Sequence, residues 1–242
     1  MRQSILKALI GTALIGLCSA PAFADNIAES ESTGDHNVST ITQTGDNQDG
    51  KVKQTGNHLT STITQVDFGN KSTVKQAGEH NVSTITQEAG NIAMVDQGGN
   101  HNTSTINQDP TTNNLGSTFS EGNTADVTQR GAWNQSTVNQ FVGNNAEVDQ
   151  TGTGTSDEPN TVLINQYKNE DVAVAAQTGG AGNSIEINQS VDCCSQPQDG
   201  NQVGPQGGLF SDVQNFATAE QHGSFNTTLI NQRALQTQGQ ER

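Results

Sequence analysis

The residues best suited to chemistry in this chain are four histidines at a regular interval. His36, His58, His80 and His101 each stand seven residues before a glutamine: Gln43, Gln65, Gln87 and Gln108. Imidazole ligates Zn, Cu or Ni and titrates near neutrality, so such a row could form a metal-binding or pH-responsive edge. The opposing reading is a polar turn residue copied along with a repeat, and the regular spacing favours it. The same position continues as Trp133, Pro159, Gly182 and Phe225, so the row does not run the whole chain. The other reactive pair is Cys193-Cys194. Vicinal cysteines bridge each other only with strain, which leaves a free thiol pair or an inter-subunit link. The acids are scattered, and there is no P-loop, dinucleotide loop or nucleophile motif with partners. No enzyme site and no cofactor are expected.

The elements that must position these residues are built from unusual material. Of 242 residues, 30% are hydrophobic and 14% charged, with a formal charge of −15. Asn and Gln contribute 26 each, and Gly another 26. Low apolarity with high net charge ordinarily signals disorder. The charge excludes a basic nucleic-acid binder, and the hydropathy excludes a polytopic membrane protein.

Residues 1–24 differ from the rest. Arg2 and Lys7 precede a short apolar run, and Ala22-Phe23-Ala24 fits a small-x-small cleavage site. A secretory signal peptide is expected, with the mature chain starting at Asp25. Bulky Leu17 before Cys18 speaks against a lipoprotein signal.

A repeat organises the remainder. Gln recurs at Gln43, Gln54, Gln65, Gln76, Gln87, Gln97, Gln108, Gln129, Gln140, Gln150, Gln166, Gln177, Gln189, Gln221 and Gln232. Six residues earlier stands Asn37, Asn70, Asn81, Asn91, Asn102, Asn123, Asn134, Asn144, Asn160, Asn183, Asn215 or Asn226; Gln48, Leu59 and Asp171 are the exceptions. Two residues before the Gln stands Ile41, Val52, Ile63, Val74, Ile85, Val95, Ile106, Val127, Val138, Val148, Ile164, Ile187 or Ile230, with Ala175 and Ala219 as exceptions. A small residue usually sits between. Period two is one face of a β-strand, and Gly-Asn pairs with following Gly mark the turns.

Two kinds of strand alternate, so the unit is strand–turn–strand of about 22 residues. Seven units and one last strand are counted. A unit cannot bury its stripe alone. Stacked at the ~4.8 Å strand spacing, units give an all-β solenoid with two facing parallel sheets. Ile and Val form a thin core, and Asn and Gln form amide-to-amide ladders. The expected organisation is a short segment at 25–35, the solenoid over 36–232, loop insertions at 109–121, 151–159 and 190–214, and a tail at 233–242.

The stretches Ser39-Thr-Ile-Thr-Gln43-Thr-Gly45-Asp-Asn47 and Ser83-Thr-Ile-Thr-Gln87 through Asn91-Ile-Ala93-Met-Val-Asp-Gln97 resemble the curlin repeat. Curlins are subunits of secreted amyloid fibres of bacterial biofilms. The resemblance implies a fibre-forming structural subunit whose partners are its own copies and other curlin subunits. It also implies a secretion pore and accessory chaperones. The expected mechanism is templated strand addition to an exposed end of the solenoid. A major or a nucleating subunit, or a monomeric solenoid adhesin or ice-binding module, are the readings left open. The ice-binding alternative rests on Thr40-x-Thr42, Thr62-x-Thr64 and Thr84-x-Thr86. The outward column Lys53, Lys75, Asp96, Thr128, Asp149, Ala176, Glu220 further suggests charge pairing of Glu220 with Lys53 of the next copy, against the alternative of a solvated face.

Overall fold

The computed structural model describes residues 25–109, 122–141, 143–167, 171–192 and 215–235. The signal segment 1–24, Cys193-Cys194, most of the insertions 109–121 and 190–214, and residues 236–242 lie outside them. Among the described residues there are sixteen strands, numbered in chain order. They are β1 Ile27–Thr33, β2 Val38–Asp46, β3 Asp49–Asn57, β4 Thr60–Phe68, β5 Lys71–Glu79, β6 Val82–Glu88, β7 Ile92–Asn100 and β8 Thr103–Gln108. There follow β9 Thr124–Ala132, β10 Asn134–Gln140, β11 Asn145–Thr153, β12 Asn160–Gln166, β13 Val172–Gly179, β14 Ser184–Asp192, β15 Phe216–Gly223 and β16 Thr227–Leu235.

Odd strands form one eight-stranded sheet and even strands the other, each in sequence order. Every pairing is parallel and in motif register: Ile41 lies beside Ile63, Gln43 beside Gln65, Val127 beside Val148. Burial alternates along each strand, as in β4 and β12, so the period-two motif face points between the sheets. The molecule is the β-solenoid that the repeat predicts.

Three differences from the sequence reading have physical causes. First, β1 adds a strand where a short segment was expected, making eight full coils. Its inward residues Ala28, Ser30 and Ser32 pair with Gly50, Val52 and Gln54. Ser has replaced both the aliphatic residue and the Gln, so the motif is legible only by register. Second, the insertions are narrower than expected. β11 runs to Thr153 and β14 to Asp192, because these residues still find ladder partners. The 154–159 loop folds back on the turns through Gly154 N–H to Ala132 O (2.9 Å) and Gly182 N–H to Glu158 O (3.1 Å). Third, β16 continues past Gln232 to Leu235, pairing with Asp192 of β14.

The turns repeat as faithfully as the strands. Gly56 and Gly78 adopt φ of 134° and 111°. A Cβ at Gly56 would meet Gly78 O at 1.9 Å, and one at Gly78 would meet Gly99 O at 2.0 Å. Glycine is required there both by the left-handed backbone and by the approach of the next coil.

The core is one aliphatic residue deep, and its volume is conserved across the sheets. Where β13 and β15 carry Ala175 and Ala219, the even strands β12 and β14 put buried Val162 and Ile185 at the position elsewhere held by Ser or Ala. Small-for-large on one sheet is offset by large-for-small on the other, which keeps the interior at close-packed density.

Candidate functional site: the amide ladders and the two ends

The glutamines align into two continuous ladders. In the even sheet Gln43 Nε2 donates to Gln65 Oε1 at 2.9 Å, and the chain of bonds runs through Gln87, Gln108, Gln140, Gln166 and Gln189 to Gln232. In the odd sheet it runs from Gln54 through Gln76, Gln97, Gln129, Gln150 and Gln177 to Gln221. Each amide also donates across the coil to the preceding strand, as Gln76 does to Thr60 O at 3.0 Å. One side chain thus links neighbouring layers and ties the two sheets together. All ladder glutamines are buried except Gln43 and Gln232, which lie in the end layers and are half-buried. A fully satisfied buried amide in a dry site avoids the desolvation cost of an unpaired one.

The asparagines do something different from the amide-to-amide ladder expected of them. The side-chain Oδ1 accepts the backbone N–H of the next layer's equivalent residue, as Asn70 Oδ1 does from Asn91 and Asn81 Oδ1 from Asn102 (3.1 and 2.9 Å). The Nδ2 group reaches back four residues to close the turn, as from Asn81 to Ala77 O and Asn102 to Gly98 O. Amide-to-amide contact is added only in later coils, such as Asn134 to Asn102 at 3.1 Å. Asparagine is therefore a turn clamp, because its short side chain reaches backbone where Gln reaches a side chain. Two of the three exceptions keep half of this function, while Leu59 fills the place with an apolar side chain. Asp171 Oδ1 accepts from Asn215 N–H, and Gln48 Nε2 donates to Thr44 O.

The family model of the curlin associated repeat matches residues 121–152. This stretch is similar to a curlin repeat. It holds β9, β10 and most of β11, and strand register carries its motif positions into the other coils. No curated protein and no solved structure matches the chain.

On one corner of the coils the four histidines stack face to face. Ring centroids of His36, His58, His80 and His101 are 4.8 Å apart with planes within 6°, and Trp133 extends the column at 4.2 Å. All five residues have φ near 56° and so serve as left-handed turn residues. Among the described residues no group of three or more His, Cys, Asp or Glu side chains is placed to hold a metal ion. Parallel rings stacked by their faces do not converge their nitrogens on one point. Sequence reasoning did not foresee Phe141 stacking on Tyr167 at 5.0 Å or the Arg130–Asp96 ion pair at 2.8 Å.

The two ends of the coil differ between the sheets. In the odd sheet both ladder ends are closed: Ser32 Oγ donates to Gln54 Oε1 (2.8 Å), and Gln221 Nε2 spends its protons on Ser184 O and Thr228 Oγ1 (both 2.9 Å). In the even sheet they are open. Among the described residues no donor reaches Gln43 Oε1, and Gln232 Nε2 donates only to Phe216 O. The expected pairing of Glu220 with Lys53 of a next copy does not fit this end. The strand β1 covers β3, and Lys53 Nζ already lies 3.1 Å from Glu31 Oε2 in its own chain.

Proposed function

We infer that this chain is a secreted, non-enzymatic structural subunit that polymerises end to end into curli-type extracellular amyloid fibres. One observation carries the reading: among the described residues the even-sheet glutamine ladder ends in an unused acceptor at Gln43 and an unused donor proton at Gln232. These are complementary and point in opposite directions along the axis. A second copy set on β16 by its β2 continues the ladder with Gln232 Nε2 donating to Gln43 Oε1. It also continues the Ile41–Ile230 aliphatic row and the unpaired backbone edges of β1, β2, β15 and β16. The match to the curlin associated repeat at 121–152 supports the same reading. By family resemblance the reading includes export through a dedicated pore and chaperones that hold the chain unfolded.

The mechanism is template-directed. An incoming chain with low apolarity and high charge remains unfolded and soluble alone. At an exposed end it gains in-register partners for every backbone and amide group, and each coil formed offers the same edge again. Incubating purified 25–242 without seeds tests this. A lag followed by dye-binding fibres with a ~4.7 Å meridional reflection is the expected result. A folded monomer stable for days would contradict it.

A further inference from the structure

Between the motif Asn and Gln the outward charges of the solenoid gather on one sheet. Each strand presents three outward positions between its motif Asn and Gln. In β3, β5, β7, β9, β11 and β13 nine of these eighteen positions are charged, from Lys51 and Lys53 near one end to Glu147 and Asp149 near the other. In β2, β4, β6, β8, β10 and β12 none of the eighteen is charged, and eleven are Thr. Between motif Asn and Gln the first charge on that sheet's face is Glu186 in β14, while Asp46 and Glu88 stand at its rim, beyond the motif Gln in β2 and β6. Val38 and Val82 are 53% and 38% exposed on it. Proteins ordinarily keep flat β-faces charged to prevent sheet-on-sheet association. This chain does so on one sheet and not on the other.

We propose that the neutral Thr-rich face of the even sheet is a lateral interface, on which a second copy of this chain packs its own even sheet. The partner follows from charge and area. The nine outward charges of the odd sheet are four Lys and five Asp or Glu, and two odd faces packed together would have to strip all of them of water. Between motif Asn and Gln the even face is a broad surface on which two copies meet without juxtaposing charge, Asp46 and Glu88 staying at its rim. Like-on-like contact is isologous, so one face supplies both halves of the interface. Six layers and three columns give roughly 30 Å by 20 Å, so two copies bury about 1,000–1,200 Å², at the lower bound of stable interfaces. In a fibre the face recurs in every subunit and the areas add along its length. Thr methyls and Val side chains at ~10 Å sheet separation form the dry, short-side-chain contact of paired cross-β sheets. The interface rests on the polymer reading above only for this additive length.

The test places lysine at Thr64 and Thr86. Lys53 and Lys75 occupy the equivalent position of adjacent layers in the odd sheet, so the coil tolerates stacked lysines there. Mass per length of fibres from wild type, the Thr64→Lys/Thr86→Lys variant and a Thr73→Lys control on the odd sheet is compared. The expected result is paired wild-type and control fibres and a variant with about half their mass per length, as a two-fold contact requires. Single wild-type fibres, or a variant that pairs equally, would overturn the proposal. So would loss of all fibres in the variant alone, because the face would then belong to the ladder contact. Wild-type fibres that stay single while the face adsorbs to a solid polysaccharide or to ice would also overturn it. If the wild-type chain forms no fibres, the polymer reading fails by itself. Sedimentation of the folded chain then decides, with a dimer broken by the two lysines supporting the face and a wild-type monomer refuting it.

Discussion

Ser32 Oγ donates to Gln54 Oε1 at 2.8 Å, at the position where every later odd strand carries glutamine. The hydroxyl satisfies the first amide of the ladder but is too short to offer the next copy a glutamine-like contact. Ser32→Gln together with Thr228→Val, which frees the Gln221 proton held by Thr228 Oγ1, should lengthen the odd ladder by one rung and open it to an incoming Gln221. One added net hydrogen bond of about 1 kcal/mol corresponds to roughly five-fold tighter end binding. Seeded elongation at fixed seed number should speed up by about that factor. Unchanged elongation would show that ladder ends do not govern addition.

The interior ladder and the buried serines should respond in opposite ways. Gln97 receives a bond from Gln76 and donates to Gln129 Oε1 and Val82 O. Gln97→Ala strands all three groups in a dry core and should cost about 3 kcal/mol or more. Ser83 and Ser104 are buried with hydroxyls that lack a partner. Ser83→Ala, matching Ala93 and Ala125 elsewhere, should leave stability unchanged or raise it by about 1 kcal/mol. Denaturant midpoints of the three chains give the comparison.

Gly78→Ala meets both a φ of 111° and a backbone oxygen 2.0 Å from the new Cβ. The clash is with backbone of the next coil, so it cannot relax by a rotamer change. A loss of about 2 kcal/mol or more is expected. Gly90→Ala has nothing within 4 Å of its Cβ and should cost less, by the same denaturation assay.

Acid should stabilise the coil around Asp126. Burial first, and then the negative charges of Glu147 and Asp96, raise its carboxyl above the ordinary 3.8. Glu88 is raised above 4.5 by burial first, and then by Asp109 and Asp67. A carboxyl whose folded pKa is raised contributes its stability fully below the unfolded pKa and loses it as pH rises through the folded value. The denaturation midpoint should therefore fall as pH increases from the ordinary carboxylate range upward. Asp126→Asn and Glu88→Gln should flatten that fall, and a slope unchanged in both would contradict the assignment.

Most of the fold was legible because each strand repeats one period-two pattern, and parallel stacking turns a repeat directly into ladders. Gln43 to Gln232 could be placed on one face by counting alone. Strand β1 was hidden because Ser30 and Ser32 replaced the two residues that mark the motif, although Asn26-x-Ala28 keeps its first half. The amide contacts expected of the asparagines form only in the later coils, and their backbone clamps went unseen, since sequence gives position but not side-chain reach. The compensation of Ala175 and Ala219 by Val162 and Ile185 crosses between sheets, and a reading of one strand at a time does not see it. The closed and open ladder ends depended on Thr228 and Ser32, whose bonds only the assembled coil reveals.

The central claim is that copies join with β2 of one in register on β16 of another. It predicts that Asn231 of one copy lies one ~4.8 Å layer from Thr42 of the next, within the Cα separation that a disulfide spans. Chains carrying Thr42→Cys and chains carrying Asn231→Cys, both in a Cys193→Ser/Cys194→Ser background, are mixed, assembled and oxidised. Covalent dimers linking position 42 to position 231 are the predicted product. Fibres that form without this cross-link, or that cross-link only 42 to 42 and 231 to 231, would contradict the account.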